Sequence, residues 1–161
     1  MLKIRLVLAV AVILGLSAAA LHAAQPPGGQ AAAKLDVLLD SIRSNRRALV
    51  AVNLKLTDEE ASKFWPVYDR YQKETNAIGD RLVGVIQDYS ANFNDLSNDK
   101  AMKLVDDYLA VEADRVKVKR AYVDEFSKAL PGRKVARFYQ IENKMDAVIR
   151  YDLAATIPVV E

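Results

Sequence analysis

The chain has 161 residues, enough for one domain with its own core, and it contains no cysteine and a single histidine, His22. Without cysteine it can form no disulfide, no thiolate metal site and no catalytic cysteine. The 23 basic and 21 acidic residues nearly balance, which argues against the basic bias of nucleic-acid-binding proteins, so no nucleic-acid partner is expected.

Residues 1–24 have the layout of a secretory signal peptide. Lys3 and Arg5 precede an almost unbroken apolar run from residue 6 to residue 20, and small residues follow it. The run is shorter than the roughly 20 residues that span a bilayer core, so we expect cleavage and export, with an uncleaved membrane anchor as the alternative. Cleavage removes His22 and two of the 23 basic residues, which leaves 21 bases against 21 acids and no imidazole for catalysis or metal binding.

Residues 25–31 contain two prolines and two glycines and predict a flexible lead-in. A first helix is predicted over residues 32–53, because apolar side chains recur there at helical spacing. Arg46 falls close to this apolar stripe. The stripe consists of Leu35, Leu38, Leu39, Ile42, Leu49 and Val52.

The second predicted helix has a clear start at residues 56–60, where Thr57 and Glu60 have the spacing of a capping box. Apolar and aromatic residues then follow at alternating intervals of three and four, which predicts a heptad-type seam. Pro66 lies inside this helix and predicts a kink, because proline removes one backbone hydrogen bond. The predicted seam is Ala61, Phe64, Tyr68, Tyr71, Thr75, Ile78, Leu82, Val85 and Tyr89.

Residues 92–99 predict a polar turn, since they lack the glycine and the terminal glutamate of a calcium-binding EF-hand loop. The third helix, predicted to end near Ala129, has two apolar faces and must therefore touch two neighbours, or one neighbour and a partner chain. One face is Met102, Val105, Leu109, Val116, Val123 and Phe126, and the other is Leu104, Tyr108, Val111, Val118 and Tyr122.

Residues 130–132 break the chain, and a fourth helix is predicted over residues 133–153, followed by an extended tail at residues 156–161. No segment shows the sustained alternation of a half-buried strand. The side chains predicted to face inward on the fourth helix are Val135, Phe138, Ile141, Met145, Val148 and Ile149.

The starts of the second and fourth helices resemble each other at an offset of 74 positions. Leu56 corresponds to Leu130, Phe64 to Phe138, and an aromatic residue follows each phenylalanine. Two amphipathic helices can share such a pattern by chance, but the paired aromatics after a leucine favour an internal repeat.

With these features the chain resembles the Spy/CpxP family of Gram-negative periplasmic proteins, which carry leucine-threonine-x-x-glutamine motifs at comparable helix starts. The first motif, residues 56–60, has Glu60 in place of glutamine, and the second, residues 130–134, keeps only Leu130. The resemblance covers about residues 35–153. It implies a bent helical hairpin that dimerises, and a role as an ATP-independent chaperone, a stress-signalling adaptor or a metal sensor. The missing histidines argue against the metal-sensing branch.

Two sets of residues are candidates for function. The motif residues, which we expect to be structural, are Leu56, Thr57, Glu60, Phe64, Leu130 and Phe138. The candidates for binding a client or partner protein are Arg43, Arg46, Arg47, Leu49, Lys119, Arg120, Arg133 and Lys134. For these cations the alternative is an ordinary solvated helix face. No catalytic group, metal site or cofactor is predicted.

We therefore predict a single all-α domain at residues 32–155, a four-helix bent hairpin or open bundle with a long central antiparallel helix pair, forming a homodimer. The predicted function is that of a periplasmic chaperone or envelope-stress adaptor, not an enzyme, which binds unfolded or envelope proteins through a mixed basic and apolar surface. The alternatives are a sensor that binds the periplasmic part of a membrane signalling protein, and a structural module held at the membrane by an uncleaved anchor.

Overall fold

The computed structural model describes residue 37, residue 41 and residues 44–160, and this part of the chain contains four helices and no strand. Helix α1 is described over residues 44–54, α2 spans Asp58–Asn92, α3 spans Asn98–Ala129 and α4 spans Gly132–Thr156, with a short 3-10 helix at Phe93–Asp95. The predicted all-α class is confirmed. The predictions for the signal peptide, the lead-in, Arg43 and the stripe residues before residue 44 concern positions outside the described ones.

Side-chain caps fix where α2 and α3 begin. The Thr57 hydroxyl accepts a hydrogen bond from the Glu60 backbone N–H at 3.3 Å, and the Glu60 carboxylate accepts one from the Thr57 N–H at 2.8 Å. This is the predicted capping box, and it satisfies two backbone donors that the helix itself leaves unpaired. Ser97 caps α3 in a similar way, accepting from the Lys100 N–H at 3.3 Å.

Helices α2 and α3 form the predicted long antiparallel pair. Arg70 of α2 pairs with Glu125 of α3, and further along α2 the Arg81 guanidinium lies 2.5 Å from Asp114, earlier on α3. Helix α4 runs back along α3, because its Tyr139 donates to the Lys119 carbonyl while Arg150 pairs with Glu112. Helix α2 continues through Pro66 as one helix, and the bend that Pro66 and the family resemblance imply stays a prediction.

An aromatic cluster forms the centre of the core at one end of the molecule. Phe64 of α2, Phe126 of α3 and Phe138 of α4 are all fully buried, and the ring centroids of Phe126 and Phe138 lie 4.5 Å apart. The positions that correspond in the proposed repeat contact each other, since Phe64 meets Phe138 edge-on at 5.3 Å and Glu60 pairs with Lys134. The six motif residues therefore cap α2 or pack in or against this core.

The apolar stripe predicted for the first helix has the wrong phase in its described part. Leu49 and Val52 are exposed, Val52 by 73 %, whereas Val50 and Leu54 are buried. The buried face of α1 is Arg46, Val50 and Leu54, one residue every four, which follows a single side of a helix. The prediction missed this phase because it followed apolar residues only, and one of the buried positions is an arginine, Arg46.

The inward faces of α3 and α4 also differ from the prediction. On α4, Val135, Phe138, Met145 and Ile149 are buried as predicted, but Val148 is 55 % exposed, and the buried acids Glu142 and Asp146 were not part of the prediction. On α3, Leu104, Val111 and Tyr122 of one predicted face are buried and Tyr108 of that face is 41 % exposed, while Phe126 is the buried member of the other face. The remainder of the other face is in contact with water.

Candidate functional site

Arg46 is not on a protein-binding surface but inside the molecule. Its side chain is 10 % exposed, with Nη2 at 2.7 Å from Asp146 Oδ1 and Nε at 3.4 Å from Glu142 Oε1. Burial by itself lowers the pKa of Arg46, but the charges of Glu142 and Asp146 raise it, and the net shift is upward. The prediction placed Arg46 on a client-binding surface, and it is wrong because this side chain is buried.

The same buried network takes residues from all four helices, and two of them, Glu142 and Asp146, come from α4. Lys119 of α3 pairs with Asp146, and the hydroxyl of Tyr71 on α2 donates to Glu142 at 3.2 Å. Lys119, another candidate for client binding, is therefore already paired within the chain. Because charges buried away from water must be paired, this network holds α1 against the other three helices.

The pKa values of the two acids in this network shift in opposite directions. Burial raises the pKa of Glu142 above its usual range, and the nearby charge of Arg46 offsets this only in part. Burial also tends to raise the pKa of Asp146, but the hydrogen bond from Lys119 and the charge of Arg46 bring it below its usual range. Glu142 thus resists ionisation in the folded chain, and Asp146 favours it.

Two further candidate cations are also engaged inside the chain. Arg47 pairs with Asp69 of α2 and lies over the Trp65 ring, 4.2 Å from its centroid. Lys134 pairs with Glu60 and donates to the Lys55 carbonyl at 3.1 Å. Both link helices of this chain, although Arg47 is still half exposed to water.

The remaining described candidates are accessible. Leu49, Arg120 and Arg133 are exposed, and neither arginine forms an ion pair with another described residue. Arg120 lies on α3 beside its water-facing apolar side, whereas Leu49 and Arg133 lie on other helices. The structure thus leaves one of the eight candidates, Arg120, next to a large apolar surface.

That surface, the outward face of α3, belongs to the described helix that carries the most exposed large apolar side chains. Its side chains are spaced by three, four and seven residues, so they line one side of a helix, and each is between 40 % and 62 % exposed. Soluble monomers rarely expose contiguous apolar patches unless these bind something. The face consists of Met102, Val105, Leu109, Val116 and Val123.

An apolar groove of about 610 Å³ lies at the end of the molecule away from the aromatic cluster. It runs between the second half of α2, the first half of α3, and the end of α4 with its tail. The tail is held in place where Tyr89 donates to the Pro158 carbonyl at 2.8 Å. Residues central to its lining are Leu82, Ile86, Leu104, Ile149, Leu153 and Ile157. Sequence reasoning did not find this groove, because the apolar pattern of each single helix does not show how three helices are placed around a groove.

No group of three or more acidic or imidazole side chains in the described part of the chain is arranged to hold a metal ion. Among the described helices, none is both long enough and apolar enough to cross a membrane. Comparison of the chain with protein-family models, with curated proteins and with solved structures finds no match.

We expect the two buried acids to affect stability in opposite ways. Glu142, with its raised pKa, contributes stability that is present below the unfolded-state pKa of about 4.3 and is lost as pH rises. Asp146 contributes stability that is present above about pH 3.9 and is lost as pH falls through its lowered folded-state pKa. Asp146→Asn should therefore cost about 3–5 kcal/mol at pH 7, since it leaves Arg46 and Lys119 without their shared partner.

The matched variant is Glu142→Gln, one helical turn away, which keeps an acceptor for the Tyr71 hydroxyl. Its free energy of unfolding, measured by urea titration from pH 4 to pH 8, should lack the decline above about pH 4.3 that Glu142 gives the native chain. At pH 8 it should equal or exceed that of the native chain. A loss as large as that of Asp146→Asn would show that the assigned directions are wrong.

Proposed function

We propose that the protein is a Spy/CpxP-like binding protein of the periplasm that acts as an ATP-independent chaperone or stress adaptor rather than as an enzyme. The observation that carries this proposal is the outward face of α3, an apolar stripe in contact with water on a helix of 32 residues. Such a helix is about 48 Å long, enough to contact an extended segment of another protein over many residues.

The chemistry of this face suits weak and general binding. Apolar side chains gain roughly 25 cal/mol for each Å² that a bound protein removes from water, whatever its sequence. Arg120 and Lys117 are exposed beside the stripe and attract acidic segments over several ångströms, an effect that salt weakens. An exposed helix face offers no deep pocket, so a client is held loosely and can leave without an energy source.

Suppression of aggregation tests the proposal. At severalfold molar excess, the full chain should delay light scattering by a chemically unfolded client, and Leu109→Asp or Val116→Asp should weaken this by about tenfold, the loss expected for about 1.4 kcal/mol of contact energy. The control is Val52→Asp, which changes an exposed valine on α1 and should have no effect. No suppression by the native chain would exclude the chaperone form. Strong binding of one defined partner without suppression would favour the adaptor or sensor form.

We propose also that the chain forms a homodimer, and that a second copy competes with clients for the outward face of α3. A stripe that continues over three heptads can pack against a second helix as well as against an unfolded segment. Sedimentation equilibrium should give the mass of two chains for the native protein and of one chain for Val116→Asp. A dimer that survives Val116→Asp and Leu109→Asp unchanged would place the contact between copies elsewhere.

The periplasmic location rests on the signal-peptide pattern of residues 1–24. Mass spectrometry of the chain purified from cells should find an N-terminus at or near Gln25. An intact Met1 or Leu2 would instead support the structural module that an uncleaved segment anchors to the membrane.

A further inference from the structure

Three buried polar side chains from three helices each keep one atom without a hydrogen bond. They are Arg46 of α1, Tyr68 of α2 and Glu142 of α4, whose exposed fractions are at most 10 %. The atoms are Nε of Arg46, the hydroxyl of Tyr68 and Oε1 of Glu142, and none of them has a hydrogen-bond partner among the described residues. Folded proteins leave very few buried polar atoms unpaired, so these three atoms call for a partner.

The three side chains meet at one place between α1, α2 and α4. Arg46 Nε lies 3.4 Å from Glu142 Oε1, outside the usual range of about 2.7–3.2 Å for an N–H···O hydrogen bond. The ring of Tyr68 contacts Phe138, one helical turn before Glu142 on α4, with the ring centroids 6.0 Å apart. Burial and the charge of Glu142 raise the pKa of Tyr68, and the charge of Arg46 opposes this, as expected for a hydroxyl beside both groups.

The other polar atoms of this network already have partners. Glu142 accepts a hydrogen bond from the Tyr71 hydroxyl through Oε2, and Arg46 donates to Asp146 through Nη2. These two bonds hold the carboxylate and the guanidinium in place. A partner for Nε and Oε1 therefore has to be a further group, beyond Tyr71 and Asp146.

The chemistry of the three atoms selects the kind of ligand. The Nε–H of Arg46 can only donate a hydrogen bond, an ionised Glu142 can only accept one, and the protonated hydroxyl of Tyr68 can do both. An anion cannot donate to Glu142, and a cation cannot accept from Arg46. A water molecule does both, and buried water in proteins typically makes about three hydrogen bonds to polar groups that would otherwise be unpaired.

We propose that the junction of α1, α2 and α4 binds one buried water molecule, which accepts from Arg46 Nε, donates to Glu142 Oε1 and bonds to the Tyr68 hydroxyl. The water then links α2 to the ion pairs between α1 and α4. A bridging water is nearly as favourable in enthalpy as a direct hydrogen bond, so this link adds to the attachment of α1. The inference does not rest on the proposed function, which concerns the outward face of α3.

A crystal structure of the protein purified from cells tests the site directly. Electron density for one water molecule should lie at hydrogen-bond distance, about 2.7–3.2 Å, from all three atoms. A direct hydrogen bond between the Tyr68 hydroxyl and Glu142 would overturn the proposal, and so would the lack of density between the three atoms. Density too strong for water would assign the site to an ion and would also contradict the proposal.

A second test in solution uses Tyr68→Phe, which removes the hydroxyl and keeps the ring. If the hydroxyl bonds to the water, the equilibrium constant for unfolding, measured by urea titration, should rise about fivefold through the loss of one hydrogen bond. The control is Tyr151→Phe, which removes the hydroxyl of a tyrosine that is 75 % exposed and should leave the constant unchanged.

An unchanged or lower unfolding constant for Tyr68→Phe would show that the hydroxyl has no partner in the native chain, and the proposal would be wrong. Neither test measures aggregation suppression, so failure here is distinct from failure of the proposed function.

Discussion

The contact between Phe64 and Phe138 is the constraint on which the rest of the fold depends. Each phenylalanine lies two turns after the start of its helix, and a leucine lies just before each of these two helices. Both rings pack on Phe126 of α3. Aromatic rings of this size contribute a large buried area from one position, so this cluster sets how the starts of α2 and α4 meet the end of α3. The ion pair between Glu60 and Lys134 joins the same two starts one turn earlier.

Next to this aromatic cluster, the interior of the molecule contains charged side chains in place of aromatic ones. Arg46, Glu142 and Asp146 bring polar, ionisable groups into a space that aliphatic side chains could fill, and desolvation makes such a network costly. Its geometry, however, admits only one partner helix in one register, since a shift of one residue would separate the guanidinium from both acids. We infer that the network fixes where α1 lies on α4, while the aromatic cluster supplies the hydrophobic stabilisation.

The sequence predicted the helices well because their signals are local. The capping box at Thr57 and the break at Pro131 depend on neighbouring residues, and both helix starts were correct within two residues. The site was predicted less well because it depends on tertiary contacts. Nothing in the order of residues around Arg46 shows that two acids a hundred positions later will enclose it. The apolar face of α3 was found from its spacing, whereas the groove needs three helices to be placed first.

The spacing of the apolar side chains on α3 has a geometrical consequence for whatever binds there. The stripe has one residue at every seventh position: Met102, Leu109, Val116 and Val123. Because a straight α-helix has 3.6 residues per turn, such a stripe rotates around the helix axis by about 20° for each heptad. Over three heptads the stripe thus drifts by about 60° around the helix axis. A rigid straight rod would lose contact toward one end. The surface favours occupants that coil around α3 in a left-handed sense, or that are flexible enough to follow its curve.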